Sequence, residues 1–281
     1  MSTVIDRLEW AELGAQRFES EYANGSKPVV IKGAFDHWPA RKKWNIEFFR
    51  GEYGDREVQV DQKNWRMAEL LECIENSSAV SPAPYLRNEM LERWPPALQA
   101  DIAPIPLCTQ ANWLESPTMR YVRRWRSFEL YIGGAGAKFP VLHYEQFHLH
   151  AFLMQLQGEK EYLVYAPDQL EYLYRGEAGL DNKSKVDDPD LPDLQRFPKF
   201  SQAKGVRFKL YPGETLFVPC GWWHTAKILS TSITVSINGI TQANWADFVE
   251  DISTDVGRSS ALRGLVVRSR LAFCGWSHGR V

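Results

Sequence analysis

The segment PGETLFVPCGWWHTA, residues 212–226, places a histidine directly after an apolar run. Six residues, Glu214 to Pro219, have the pattern of a buried β-strand, and a cysteine, a glycine and two tryptophans separate this strand from His224. A buried imidazole without a partner costs free energy, so the ring of His224 needs a hydrogen bond or a metal ion. The segment therefore predicts a strand with a polar or metal site just beyond its end.

Further strand-like segments surround this one in the second half of the chain. They are short, rich in β-branched and aromatic residues, and separated by turn-forming residues. We expect strands at FELYIG (128–133), FPVLHY (139–144), AFLMQLQ (151–157), KEYLVYA (160–166), VRFKLY (206–211), ETLFVP (214–219) and ITVSING (233–239). Seven short strands in this part of the chain predict a β-sandwich or a barrel.

The first half of the chain has mainly helical patterns. One short buried strand is expected at KPVVIKG (27–33). Helices are expected at 5–22, 45–52, 67–76 and 86–99, the last kinked or split by a proline pair.

Two segments of the second half have a less certain role. The polar, proline-containing stretch between Tyr174 and Ser201 is either an ordered functional loop or a disordered insert. Near the C-terminus a helical apolar stripe is followed by a second helix at 258–272. The stripe consists of Trp245, Phe248, Val249 and Ile252. It either packs on the core or forms a dimer interface.

Composition excludes several classes of partner. The formal net charge of −2 gives no overall field that would attract nucleic acid or an anionic membrane. No apolar run reaches the length of a membrane span, and the N-terminus lacks the pattern of a signal peptide. The four cysteines are widely spaced, which favours a reducing compartment. We therefore expect a cytoplasmic protein that binds neither nucleic acid nor membrane.

A histidine and a glutamate provide the second part of a metal site. His143 and Glu145 are two positions apart on an extended segment, so their side chains leave the same face. If His224 reaches the same point from a neighbouring strand, two imidazoles and one carboxylate bind one side of a cation and leave positions open. That facial triad is typical of non-haem Fe(II) oxygenases. A histidine and glutamate in this spacing also occur commonly on surface strands, and Lys160 and the segment before His224 favour the metal site.

His148 and His150 form a competing pair. They alternate like the two histidines of a general metal-binding cupin, but that site needs a glutamate a few residues later. Residues 153–156 are Leu, Met, Gln and Leu. We expect these two histidines to line the cavity or to form hydrogen bonds within it.

Three long segments resemble the jumonji-C (cupin-like) Fe(II)/2-oxoglutarate oxygenases. The nearest resemblance is to protein side-chain hydroxylases, namely the asparaginyl hydroxylase of hypoxia-inducible factor and the jumonji lysyl-5-hydroxylase. The segments are PVVIKGAFDHWPA (28–40), residues 128–167 and residues 210–239. The resemblance implies a mainly β fold, a double-stranded β-helix (jelly-roll) core with flanking N-terminal and C-terminal helices.

The resemblance also implies a ligand set and two cofactors. Fe(II) would be held by the triad of His143, Glu145 and His224, and 2-oxoglutarate would bind in the open positions of the metal. The distal carboxylate of 2-oxoglutarate would be bound by Lys160 and Tyr85, with Ser236 and Asn238 facing the cofactor; ordinary strand alternation accounts for the last two equally well.

The chain departs from the family pattern at two positions near the first histidine. Glu145 stands where this branch usually has aspartate, and Pro140 where a threonine is common. The cofactor pocket could therefore be rebuilt around His148 or His150. Retention of a carboxylate ligand favours hydroxylation over halogenation.

These observations predict a dioxygenase that hydroxylates an amino-acid side chain of a protein or peptide. The alternatives are a small-molecule or natural-product hydroxylase and a non-catalytic metal-binding cupin sensor. We expect one oxygenase domain at 1–242, with an N-terminal elaboration at 1–119 and a β-helix core at 120–242. The C-terminal helices at 243–281 would form a homodimer.

Overall fold

The strands form two facing sheets in a computed structural model, which describes residues 4–116, 119, 122, 126–177 and 181–278. The strands are β1 (Asp6–Glu9), β2 (Val29–Lys32), β3 (Glu57–Val60), β4 (Lys63–Arg66), β5 (Leu86–Met90), β6 (Phe128–Gly133), β7 (His150–Gln157), β8 (Lys160–Tyr165), β9 (Gly205–Leu210), β10 (Glu214–Val218), β11 (Trp223–Ile228) and β12 (Ser232–Gly239). The large sheet has the order β1-β2-β10-β7-β12-β6-β5, and the small sheet has the order β11-β8-β9. A separate hairpin joins β3 and β4. The predicted mainly β, jelly-roll class of fold is confirmed.

Helices cover the outer face of the large sheet and one end of the molecule. The α-helices are α1 (Trp10–Arg17), α2 (Ala40–Lys43), α3 (Ile46–Tyr53), α4 (Met67–Glu75), α5 (Pro96–Ala100), α6 (Trp245–Ser259) and α7 (Ala261–His278). None of the helices in the described ranges is both long and apolar enough to cross a bilayer.

Strand alternation divides the apolar side chains between two cores. On β10, Phe217 joins the outer core beneath the N-terminal helices, whereas Leu216 and Val218 point between the two sheets. On β2, Ile31 and Val30 are divided in the same way. The space between the sheets is only partly filled by these side chains, and it contains the cavity described below.

Three predicted elements differ in the structure. Residues 86–90 form β5 rather than a helix, because they pair with β6 and tertiary pairing outweighs local helix preference. The expected strand at 139–144 is reduced to single bridges at His143. The expected helix at 5–22 is split into β1, α1 and a π-helical turn, Phe18–Ala23.

The C-terminal apolar stripe packs within the chain. Phe248, Val249 and Ile252 are buried against a cluster that includes Leu114 and Ile240. The assignment of this stripe to a dimer interface is therefore wrong, because its area is already covered. Other apolar side chains, on α7, are exposed; they are Leu262, Leu265, Val266 and Phe273.

The turn between β7 and β8 depends on a glycine. Gly158 has φ of +71°, and a Cβ atom there would overlap the backbone carbonyl of Thr231. We expect Gly158→Ala to lower the free energy of unfolding by about 2–4 kcal/mol in urea titrations, because both the left-handed backbone and the overlap are unfavourable. Gly33→Ala is the control, since Gly33 has φ of +76° but the nearest atom to an added Cβ is Oδ2 of Asp36 at 3.7 Å, an ordinary contact. Equal losses in the two variants would contradict the role of the overlap.

Candidate metal centre and cofactor cavity

The two histidines of the predicted triad are joined through their backbones. The His143 N–H donates to the carbonyl of His224 at 3.1 Å, and the His224 N–H donates to the carbonyl of His143 at 2.6 Å. Two opposite residues that exchange both backbone hydrogen bonds form a hydrogen-bonded pair of an antiparallel ladder, and their side chains are neighbours on the same face. Residues far apart in sequence are thereby fixed side by side, with ring centroids 4.5 Å apart.

Glu145 completes the cluster. Its Oε1 lies 3.4 Å from Nε2 of His224 and 3.9 Å from Nε2 of His143. Ligand atoms of the three residues all lie within 4.8 Å of one another. Ligand atoms about 2.0–2.2 Å from one ion lie at most about 4 Å apart, so the cluster is close to the geometry of a metal site.

Both imidazole rings are oriented by the same kind of hydrogen bond. Nδ1 of His143 lies 3.2 Å from the carbonyl of Val141, and Nδ1 of His224 lies 3.2 Å from the carbonyl of Trp222. A proton on Nδ1 satisfies each carbonyl and leaves the lone pair of Nε2 facing Glu145. Phe139 stacks on the ring of His143 at 4.7 Å between centroids and restricts its rotation.

The protonation of the cluster also suits a cation. Burial and the neighbouring His224 lower the pKa of His143 to about 4, so this ring is neutral at pH 7. Burial alone would raise the pKa of Glu145, but its contacts with His224 and His143 lower it below its usual value. A neutral imidazole and an ionised carboxylate are the forms that bind metal.

The cluster faces a large cavity between the two sheets. The cavity has a volume of about 720 Å³ and is lined from the large sheet by β6, β7 and β12, and from the small sheet by β8 and β11. The three candidate ligands occupy one part of its wall, so one side of a bound ion would face the cavity. The open side would accept a chelating cofactor or a substrate.

Lys160 and Tyr85 lie in the same cavity and contact each other. Nζ of Lys160 donates to the hydroxyl of Tyr85 at 2.9 Å. The side chain is buried, and burial lowers the pKa of Lys160 to about 7. Within the described part of the chain no carboxylate lies within 4 Å of this ammonium group. A buried amine without a counter-ion is suited to an anionic ligand, so these residues fit the distal carboxylate of 2-oxoglutarate.

Ser236 and Asn238 line the cavity from β12, as the resemblance implied. The amide of Asn238 donates to the hydroxyl of Ser127 at 2.9 Å, which fixes its orientation. The structure thus brings all seven predicted site residues to one cavity, and their roles in binding stay predictions.

The competing histidine pair points elsewhere. Nδ1 of His148 contacts Asp251 of α6 at 2.6 Å, and His150 is fully buried between Thr241 and the backbone N–H of Cys220. The expectation that these histidines line the cavity is not met, because hydrogen bonds outside it already satisfy both rings.

The polar loop at 174–204 is ordered in its described parts. Its Lys183 forms an antiparallel bridge with His143, and the Ser184 N–H donates to the carbonyl of Leu142 at 2.8 Å. Asn182 and Lys183 line the cavity. The loop therefore supports the segment that carries His143 and Glu145; residues 178–180 lie outside the described ranges.

The cavity residues that sequence reasoning missed include Arg87, Glu129 and Tyr131. Arg87 was hidden because residues 86–99 have a helical pattern. Glu129 had a usable signal, since it is the one charged residue of the strand segment FELYIG. Polar side chains at alternate positions of an otherwise apolar strand indicate a face that borders a cavity.

Known proteins are similar over most of the chain. A family model described as "Cupin-like domain" matches residues 15–239. Lysine-specific demethylase 8 of Xenopus tropicalis is 30% identical over 247 residues, which are 83% of this chain and 52% of that protein. Lysine-specific demethylase JMJ30 of Arabidopsis thaliana is 29% identical over 80% of this chain and 52% of that protein. tRNA wybutosine-synthesizing protein 5 of Gallus gallus is 26% identical over 79% of this chain and 73% of that protein.

The chain spans about half the length of the two demethylases that it matches. The matched family region contains every strand of the two sheets except β1, and the complete candidate metal centre. The extent of these matches and the two-sheet fold give one conclusion: the chain belongs to the jumonji-C (cupin-like) domain family.

Proposed function

We propose that this protein is an Fe(II)- and 2-oxoglutarate-dependent dioxygenase that hydroxylates an unactivated carbon of an amino-acid side chain in a protein or peptide. The observation that carries the proposal is one cavity with two complementary ends. One end has the cluster of His143, Glu145 and His224, and the other has the buried cation of Lys160. A cation and a dicarboxylate together satisfy both ends.

The chain's own residues would bind, orient and exclude water. The three ligands hold the ion from one side, and the Nδ1 hydrogen bonds keep both imidazoles aimed at it. Lys160 and Tyr85, which contact each other, would hold the far carboxylate of 2-oxoglutarate. Bound Fe(II) and 2-oxoglutarate supply the oxidising chemistry: O₂ is consumed, 2-oxoglutarate becomes succinate and CO₂, and a C–H bond becomes C–OH.

The decisive experiment follows 2-oxoglutarate and its products. With Fe(II) and O₂ we expect succinate in equimolar amount to the 2-oxoglutarate consumed, and a gain of one oxygen atom in the substrate by mass spectrometry. Absence of succinate from protein that binds Fe(II) tightly would favour the non-catalytic sensor.

Two named relatives favour a second outcome of the same chemistry. Both are called lysine-specific demethylases. Hydroxylation of an N-methyl carbon gives a product that releases formaldehyde, so formaldehyde assayed beside succinate separates demethylation from stable hydroxylation.

We infer that a second copy of the chain docks on the outward face of α7. Leu262, Leu265, Val266 and Phe273 are exposed on this face, and a two-fold dimer would bring this same apolar patch of both copies together. We expect Leu265→Glu to convert a dimer to a monomer in light scattering at micromolar concentration, because it places a charge in an apolar contact. Lys42→Glu, on an exposed site of α2, is the control for added charge. A monomeric wild-type protein would refute the dimer.

A further inference from the structure

Glu145 is held differently from the two histidines of the metal cluster. Each imidazole is oriented through Nδ1 by a backbone carbonyl. The carboxylate of Glu145 contacts His143 and His224, and no other group of the described residues forms a hydrogen bond or an ion pair with it. Carboxylates that bind metal are usually oriented by a further hydrogen bond. The direction of the Glu145 side chain therefore depends on the backbone that carries it.

That backbone continues into a strained turn, Gln146–His148. Phe147 has φ of +58° and His148 has φ of +48°, so two successive residues other than glycine are left-handed. Such a conformation costs about 1–3 kcal/mol for each residue and persists only where surrounding contacts hold it. The contacts that hold the turn therefore also fix the backbone next to Glu145.

The contacts on the turn come from helix α6 and from the residue before it. The side-chain amide of Asn244, which is fully buried, donates to the carbonyl of His148 at 2.9 Å. Nδ1 of His148 lies 2.6 Å from Oδ2 of Asp251 on α6. Phe147 packs on the apolar cluster that contains Phe248 of the same helix. The start of α6 thus holds the turn through its backbone, its imidazole and its apolar side chain.

The segment before Glu145 is fixed from the opposite side. The Tyr144 N–H donates to the carbonyl of Asn182 at 3.0 Å, and the side-chain amide of Asn182 donates to the carbonyl of Tyr144 at 2.9 Å. Glu145 therefore lies between the 174–204 loop and α6. The contact between His148 and Asp251 can be removed by substitution without a change in the loop, so it isolates the contribution of the helix.

We propose that His148 and Asp251 are positioning residues for the metal ligand Glu145: their hydrogen bond ties the strained turn to α6 and keeps the carboxylate directed at the cation. This inference rests on the proposed function, because it requires Glu145 to bind the ion. Helix α6 lies beyond residues 15–239, which match the family model, so the proposal gives a segment outside the matched region a role at the metal centre.

Titration of the protein with Mn(II) alone tests the proposal. The Kd is measured by calorimetry for wild type, Asp251→Ala, His148→Ala and the double variant. Loss of a group that orients a metal ligand costs about 10–100-fold in affinity, so we expect Kd to rise by about tenfold or more in each single variant. The double variant should bind no more weakly than the single ones, because both substitutions break one contact. The visible absorption spectrum of the Co(II) form should change in the same variants, since it reports the geometry of the ligands.

Asp251→Asn separates position from charge. The asparagine keeps an acceptor for the ring N–H of His148, so the Kd for Mn(II) should stay within about threefold of the wild-type value. Equal losses of affinity in Asp251→Asn and Asp251→Ala would assign the effect to the charge of Asp251 and would overturn the positioning role.

Asp255→Ala is the matched control. Asp255 is exposed on the same helix and forms its ion pair with Arg258, also of α6, so the variant removes an equal charge from the helix. It should bind Mn(II) as the wild type does. A lower thermal stability of Asp251→Ala with an unchanged Kd would make the contact purely structural and refute the proposal. Failure of the wild-type protein to bind Mn(II) would instead refute the metal centre itself, and with it the proposed function.

Discussion

His224→Ala is expected to lower the affinity for Fe(II) or Mn(II) by more than about 100-fold. Even the hydrogen-bond partners of metal ligands contribute about 10–100-fold to affinity, so loss of one of three protein ligands should cost more. In wild-type protein, metal at 100 times its Kd should stabilise the fold by about 2.7 kcal/mol, because the ion binds only the folded chain. The variant should show neither this gain nor succinate formation.

His150→Ala is the matched control for this prediction. His150 is as deeply buried as His224, but its ring contacts Thr241 and the backbone of Cys220. Its replacement should destabilise the fold and leave the metal-dependent rise in thermal stability intact. Metal content is measured by mass spectrometry of the equilibrated protein. Unchanged metal binding by His224→Ala, or its loss only in His150→Ala, would contradict the assigned centre.

Lys160→Met is expected to stabilise the ligand-free protein and to remove its use of 2-oxoglutarate. The drop from the ordinary lysine pKa to about 7 corresponds to an unfavourable contribution on the order of 5 kcal/mol when the amine is charged. Methionine has a similar length and no charge, but leaves the buried hydroxyl of Tyr85 without its partner, which costs about 1–3 kcal/mol. We expect a net gain of about 2–4 kcal/mol at pH 7 in urea unfolding.

The pH dependence of stability tests whether the buried amine of Lys160 is the cause of the lower stability of the wild-type protein. Its pKa is about 7 in the folded protein and higher in the unfolded chain, so between these values the unfolded chain binds more protons. Stability of wild-type protein should therefore rise as the pH increases above about 7, and the penalty should be complete and constant below that pH. Lys160→Met should lack this rise. A parallel pH profile in both proteins would refute the assignment.

Although Lys160→Met is expected to raise stability, it is expected to weaken the binding of 2-oxoglutarate. Truncating one partner of a buried charge pair costs about 2–5 kcal/mol, so KM for 2-oxoglutarate should increase by about 30-fold or more. Lys138→Met serves as the control, because Lys138 is paired with Asp188 and Asp190. It should lower stability slightly and leave KM unchanged.

Sequence patterns identified the candidate ligands without locating them in space. His143 and Glu145 were recognised by their spacing, and His224 by its position after a buried strand. The pattern gave no reason why the two histidines meet. The backbone hydrogen bonds between His143 and His224 provide that reason, since they join the segment that carries His143 to the start of β11.

The errors in the sequence reading have a common origin. Residues 86–90 have a helical pattern but pair with β6, and the stripe on α6 is covered by side chains that include Leu114, Leu149, Ile240 and Leu271. The helical period of the α6 stripe was correct and only its covering partner was unknown, whereas at 86–90 pairing with β6 outweighed the local helical pattern. Local periodicity predicts which face of an element is buried, but it does not predict which other part of the chain covers that face.

The sequence alone determined the mainly β class, the strand segments of the two sheets other than β1, β5 and β11, and the types of residue available for a cation and a dicarboxylate. These features depend on period, composition and residue chemistry, which are local. Only the tertiary structure decided that no carboxylate of the described residues pairs with Lys160, that Glu129 faces the same cavity, and that His148 and His150 are satisfied elsewhere. The balance of charge and solvation in a buried site depends on distances between segments remote in sequence, and folding sets those distances.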